Sequence, residues 1–71
     1  MTTGKPDGLR LTDREREVLE LLADGLQLDE IANRLGIGSE TVRTHLHNAT
    51  GKLGAANRTH AVAIAIRQKL I

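Results

Sequence analysis

The stretch Arg43-Thr44-His45-Leu46-His47-Asn48-Ala49-Thr50-Gly51-Lys52-Leu53 of this 71-residue sequence can be parsed as several different binding or reactive sites. Two histidines flank a leucine as metal ligands do, Asn48-Ala49-Thr50 spells a glycosylation acceptor, and Thr50-Gly51-Lys52 looks like part of a phosphate loop. Each reading makes a demand. On a helix, residues two apart point about 200° away from each other, so His45 and His47 cannot share an ion; chelation from a helix needs a spacing of three or four. The glycosylation acceptor needs a secretory route and an exposed loop. Met1 to Gly8 is polar, with Gly4, Pro6 and Gly8, and reads as a disordered lead or linker remnant, neither signal peptide nor membrane segment. The phosphate loop needs a glycine five residues before Gly51 and Ser or Thr after Lys52, where Leu46 and Leu53 stand.

Enzyme chemistry has little to work with. There is no cysteine or tyrosine, and the acidic residues cluster in the first half of the chain, where helix capping and solvation explain them. His60 stands alone, as a surface residue near the start of a helix. No catalytic set, metal site or cofactor is implied. The absence of cysteine also excludes a disulfide framework and thiolate ligands, and fits a reduced, cytoplasmic setting.

The elements that must carry these residues are helices. Thr12-Asp13-Arg14-Glu15 is a capping box; Val18, Leu19, Leu21 and Leu22 follow at helical spacing, Leu11 sits where a hydrophobic staple would be, and Gly25 stops the helix. A second, shorter helix is expected over 27–35, with Asp29 and Glu30 at the positive end of its dipole and Ile31, Ala32 and Leu35 inward. Gly36-Ile37-Gly38 is the tight connection of a helix-turn-helix pair. The third helix is expected over about 39–53, with Val42, Leu46, Ala49 and Leu53 within roughly 40° of one another as the core stripe. Glu40, Thr44, His47, Asn48 and Gly51 face outward, flanked by Arg43 on one side and by Thr41, His45 and Lys52 on the other. After Gly54, Asn57 caps a fourth helix running to about residue 69, whose Ala61-Val62-Ala63-Ile64-Ala65-Ile66 is apolar around most of its circumference. An apolar face left exposed on it would suit a helix partner, a second copy of the chain.

Composition agrees with one small all-α domain. Hydrophobic residues are 39% of the chain and none is aromatic, so Leu, Ile, Val and Ala must build the core. The net charge of +1 conceals an asymmetry. Residues 1–38 hold five basic and eight acidic residues, whereas residues 39–71 hold Arg43, Lys52, Arg58, Arg67 and Lys69 against Glu40 alone. A basic half containing a polar helix is a candidate face for a polyanion. On that helix Arg43, Thr44 and His47 offer donors, acceptors and a methyl suited to base edges in a DNA major groove, Arg43 by bidentate contact with guanine. Thr41, His45, Lys52 and the amides at the helix start are placed for phosphates.

The chain from Leu11 to Ile71 resembles the LuxR-type, or GerE-like, DNA-binding domain of bacterial transcription regulators, through LTDREREVLELLADG, EIANRLGI, TVRTH, KLG, NR and AV at that family's spacings. The resemblance implies a four-helix bundle containing a helix-turn-helix over residues 9–71, a recognition helix beginning near Gly38, and a fourth helix used for dimerisation. It carries base reading to Arg43, Thr44 and His47. Backbone or groove-flanking roles fall to Gly38, Ser39, Glu40, Thr41, His45, Asn48, Lys52 and Arg58, with Glu15 structural. The dimer interface is expected at Ala61, Ile64, Ala65 and Gln68. Double-stranded DNA, a second copy of the chain and RNA polymerase are the partners this implies, in the cytoplasm and on the nucleoid. Departures from the pattern are Gln27-Leu28-Asp29, which puts a carboxylate where a phosphate contact would be, Gly38 in place of a capping serine, and Ala49-Thr50-Gly51, which implies a thinner core. Two alternatives stay open: a helical protein-interaction module with a merely solvated basic half, and a promoter-binding domain like sigma-factor region four, which KLGAANRTHAVAIAI argues against by adding a fourth helix.

Overall fold

The computed structural model describes residues 10–71; the expected lead over 1–8 lies outside the described residues. Four helices follow one another: α1 (Asp13–Ala23), α2 (Leu28–Leu35), α3 (Ser39–Lys52) and α4 (Arg58–Arg67). Each begins and ends for a local reason. At α1 the capping box closes in both directions, the Glu15 amide donating to Thr12 Oγ1 at 3.1 Å and the Thr12 amide to Glu15 Oε1 at 2.9 Å. At α2 Gln27 is the cap position, one residue before the helix, and its amide donates to Glu30 Oε1 at 2.7 Å. Thus the glutamate three residues on satisfies the backbone of the cap position from within the first turn. At α4 Asn57 Oδ1 accepts from the His60 amide at 2.9 Å. His60 also has a structural task that the sequence concealed, since its Nδ1 accepts from the Ala56 amide at 2.9 Å.

The turn between α2 and α3 is set by Gly36, whose φ of +70° lies in the left-handed region that side chains avoid. This bend lets the Ile37 amide return to the Ala32 carbonyl at 3.0 Å, and Ile37 packs half-buried against the core. The helix-turn-helix angle is therefore fixed by one glycine and one apolar anchor.

α3 packs on all three other helices, so its inward stripe is the centre of the molecule. Val42, Leu46 and Ala49 are buried, together with Val18 and Leu19 from α1, Ile31 and Ala32 from α2, and Ala61 and Ala65 from α4. Leu53, expected in the same stripe, is half-buried at the end of α3 and packs against this cluster. The burial of Ala61 and Ala65, both fully inaccessible, corrects the expectation that they form a dimer interface. The reason is steric. A methyl side chain lets α4 lie close against α1 and α3, and the small residues of an apolar helix are the ones that permit such an approach. Of the other two residues expected there, Ile64 is half-buried and Gln68 exposed. The apolar side chains that α4 leaves in solvent are different ones: Ile66 at 53% exposure, and Leu70 beyond the helix end at 37%.

Gly51 lies in the last turn of α3, exposed, with nothing beyond its own neighbouring helix backbone within 4 Å of where a Cβ would stand. Gly51→Ala is expected to stabilise the domain by about 0.5–1 kcal/mol, because a helical glycine loses more backbone entropy on folding than alanine. A thermal melt that moves down, or does not move, would show that the glycine serves the folded state in some other way.

Candidate nucleic-acid interface

The face of α3 turned away from the core carries the predicted residues together. Arg43, Thr44 and His47 are exposed, as are Gly38, Glu40, Thr41 and Asn48, while Ser39 and His45 are half-buried along the flanks. Burial of Val42, Leu46 and Ala49 fixes the rotation of the helix, so 43, 44 and 47 must project outward. Thr44 Oγ1 donates back to the Glu40 carbonyl at 3.1 Å. That leaves the hydroxyl oxygen as an acceptor and turns the methyl away from the backbone. Arg58, at the start of α4, reaches the same side as Arg43. With Leu22, Leu26, Gln27, Leu28 and Asp29, the two arginines line an open groove of about 400 Å³.

Two of the expected backbone contacts are committed inside the molecule. Lys52 Nζ donates to Glu15 Oε1 at 2.8 Å and to the Arg10 carbonyl at 3.0 Å. The Lys52 and Glu15 side chains are only 17% and 4% exposed, so this is a largely buried ion pair between the end of α3 and the start of α1. The expectation that Lys52 holds a phosphate is corrected accordingly: its position on the flank of α3 is the flank that faces α1. Burial pushes the Glu15 carboxyl up, but the hydrogen bond from Lys52, the Thr12 amide and the charge of Lys52 outweigh it and hold the acid below the ordinary carboxylate range. Ser39 is the second case. Its hydroxyl donates to Asp29 Oδ1 at 2.8 Å, which ties the first residue of α3 to the first turn of α2.

Sequence reasoning missed both pairings, though one had a signal. Glu15 lies three and four residues before Val18 and Leu19, so the apolar stripe of α1 runs straight onto it. A carboxylate in a core position demands a cation, and the basic second half of the chain had to supply it. Which cation could not be read, because Lys52 is distant in the chain. The two histidines lie as their spacing required, on different sides of α3, and among the described residues no group of three or more His, Asp or Glu could hold a metal ion. Nor is any helix among those residues long and apolar enough to cross a membrane.

The profile described as "Bacterial regulatory proteins, luxR family" matches residues 9–65. The chain belongs to the luxR family. It is 53% identical over 62 residues to the transcriptional activator protein BjaR1 of Bradyrhizobium diazoefficiens, covering 87% of this chain and 26% of that protein. It is 49% identical over 57 residues to the spore germination protein GerE of Bacillus subtilis, covering 80% of this chain and 77% of that one. Among solved structures, the response regulator ChrA of a heme-sensing two-component system superposes with a TM-score of 0.85 and 43% identity, over 94% of this chain and 33% of that chain. The chain thus spans about a quarter of the length of BjaR1 and most of the length of GerE. The four helices without strands among the described residues are the all-α, helix-turn-helix fold of the luxR family, and the chain is a LuxR-type DNA-binding domain of a transcription regulator.

Proposed function

We propose that this domain binds double-stranded DNA sequence-specifically with α3 in the major groove, as the DNA-reading part of a transcription regulator. The observation that carries the reading is the outward face of α3, where Arg43, Thr44 and His47 stand exposed while Val42, Leu46 and Ala49 on the opposite face are held in the core. In this reading the three side chains meet base edges, Arg43 reaching guanine with two parallel hydrogen bonds and Thr44 offering its methyl to thymine. Gly38, Thr41, His45, Asn48 and Arg58 flank the groove and set register on the phosphates, with Glu40 only flanking it; Lys52 is removed from that set by its pairing with Glu15. The backbone amide of Ser39 remains available at the start of α3, while its hydroxyl is turned to Asp29. Dimerisation would use α4 through Ile66 and Leu70, with Ile64 and Gln68 at the margin. A cytoplasmic site of action and contact with RNA polymerase follow from a role in transcription control.

Selection of duplexes from a random pool tests the reading and returns the half-site and its spacing. Binding to the selected duplex should weaken steeply with salt. Arg43→Ala should lose about 1–3 kcal/mol of discrimination at one base pair of the half-site, beyond the smaller, salt-dependent weakening on every duplex that loss of one cation brings. Equal affinity for every duplex, or none, would sink the proposal.

A further inference from the structure

We propose that Asp29 limits the affinity of the domain for DNA, by holding the Ser39 hydroxyl and keeping a carboxylate beside the open start of α3, where a backbone phosphate would dock. The inference rests on the DNA-binding reading above and concerns the strength of that binding.

Three observations converge on this carboxylate. The first is the hydrogen bond itself: Ser39 Oγ to Asp29 Oδ1 at 2.8 Å, between exposed groups ten residues apart in sequence. It spends the hydroxyl proton of the first residue of α3 on an internal anion. The second is the bareness of that helix start. Gly38 is the cap residue and no side chain caps α3, so the first amides, which have no partner within the helix, face outward with the positive end of the dipole. Such a terminus attracts phosphate, and Asp29 adds, from α2, a second anion beside it to that of Glu40 in the first turn of α3 itself. The third is the groove that Asp29 shares with Arg43 and Arg58. Asp29 is the sole acidic residue among those lining it, so its charge opposes both arginines that the reading assigns to DNA.

A purely structural role would account for Asp29 in part, since an acid in the first turn favours the dipole of α2. Charge and structure separate cleanly at this position. Asp29→Asn keeps an oxygen that can accept from Ser39 Oγ and removes only the charge. It should bind the duplex selected by the unaltered domain about three- to tenfold more tightly at about 50 mM salt, the effect of one unit charge a few ångström from phosphate in a water-like dielectric. The gain should shrink as salt rises and the Debye length contracts. It should be of equal size on an unrelated duplex, because phosphates carry no sequence. Asp29→Ser, which also keeps a hydrogen-bonding oxygen without the charge, should behave in the same way. Ser39→Ala, which keeps the charge, should give no tightening.

Circular dichroism and a thermal melt of each variant confirm that folded protein is compared with folded protein. Unchanged or weaker binding by folded Asp29→Asn, with the unaltered domain binding normally, would overturn this inference and leave the DNA-binding reading intact. A gain that persists undiminished at high salt would also overturn it, since the cause would then not be charge. If the unaltered domain binds no duplex, the reading and the inference fall together.

Discussion

Lys52→Met lowers the stability of the domain by about 2–4 kcal/mol at neutral pH, because it leaves the Glu15 carboxylate buried without its cation. For a domain of this size that corresponds to a fall in Tm of roughly 10–25 °C. The pH dependence identifies the cause. In the unaltered domain the folded state holds the Glu15 carboxyl below its ordinary value, so its contribution is fully present above the unfolded value of about 4.3 and is lost as pH falls through the lower, folded value. Without Lys52 burial is opposed only by the Thr12 hydrogen bonds, so the same carboxyl moves up in the folded state. The variant then gains relative stability as acid neutralises the buried charge. The stability gap between the two proteins should therefore narrow from pH 7 towards pH 3. Melts that stay a constant distance apart across that range would show that Lys52 contributes by packing its methylenes and not by its charge. Binding separates the two roles that the lysine could have had. Well below the melting temperature of the variant, affinity for DNA and its salt slope should match those of the unaltered domain, whereas loss of a phosphate contact would reduce the slope by about one ion.

That lysine marks the boundary of what the sequence alone makes legible. Local features were legible: the Thr12–Glu15 box, the stop at Gly25, the connection through Gly36 and the inward stripe Val42, Leu46 and Ala49 all follow from spacings of a few residues, and the helices stand where those signals place them. The same stripe dictated which residues of α3 face outward, so the exposure of Arg43, Thr44 and His47 followed from the periodicity. What periodicity does not contain is the neighbour across a gap. Lys52 lies on the flank of α3, and only the docking of α1 decides whether that flank meets solvent or Glu15. Ser39 and Asp29 meet for the same kind of reason, across a turn whose geometry Gly36 sets. α4 failed differently. A helix apolar nearly all round carries almost no amphipathic signal, so its sequence does not say which of its faces is inward. The choice fell to packing, and packing took the alanines.

Ala65→Glu and Ile66→Lys turn that last point into an experiment, since they alter adjacent residues and should have opposite consequences. Ala65 is fully inaccessible, so a glutamate there must either bury an unpaired charge or push α4 away from α1 and α3. The expected cost is more than 4 kcal/mol, against the roughly 3–9 kcal/mol that a domain of this size possesses. The protein should be unfolded or close to it at 37 °C, and DNA binding should vanish with the fold. Ile66 is 53% exposed, in a groove of about 340 Å³ that it shares with Glu20 and Asp24. A lysine in its place should change stability by no more than about 0.5 kcal/mol and leave binding of one domain to one half-site unaltered. If the exposed side of α4 joins two copies on DNA, the charge should abolish cooperative occupation of paired half-sites, because two like charges would be brought together at an apolar contact. Cooperativity that survives Ile66→Lys would move the contact between copies elsewhere on the domain. A folded Ala65→Glu protein would instead show that α4 can leave the bundle, and that the small-residue face is free for another partner after all.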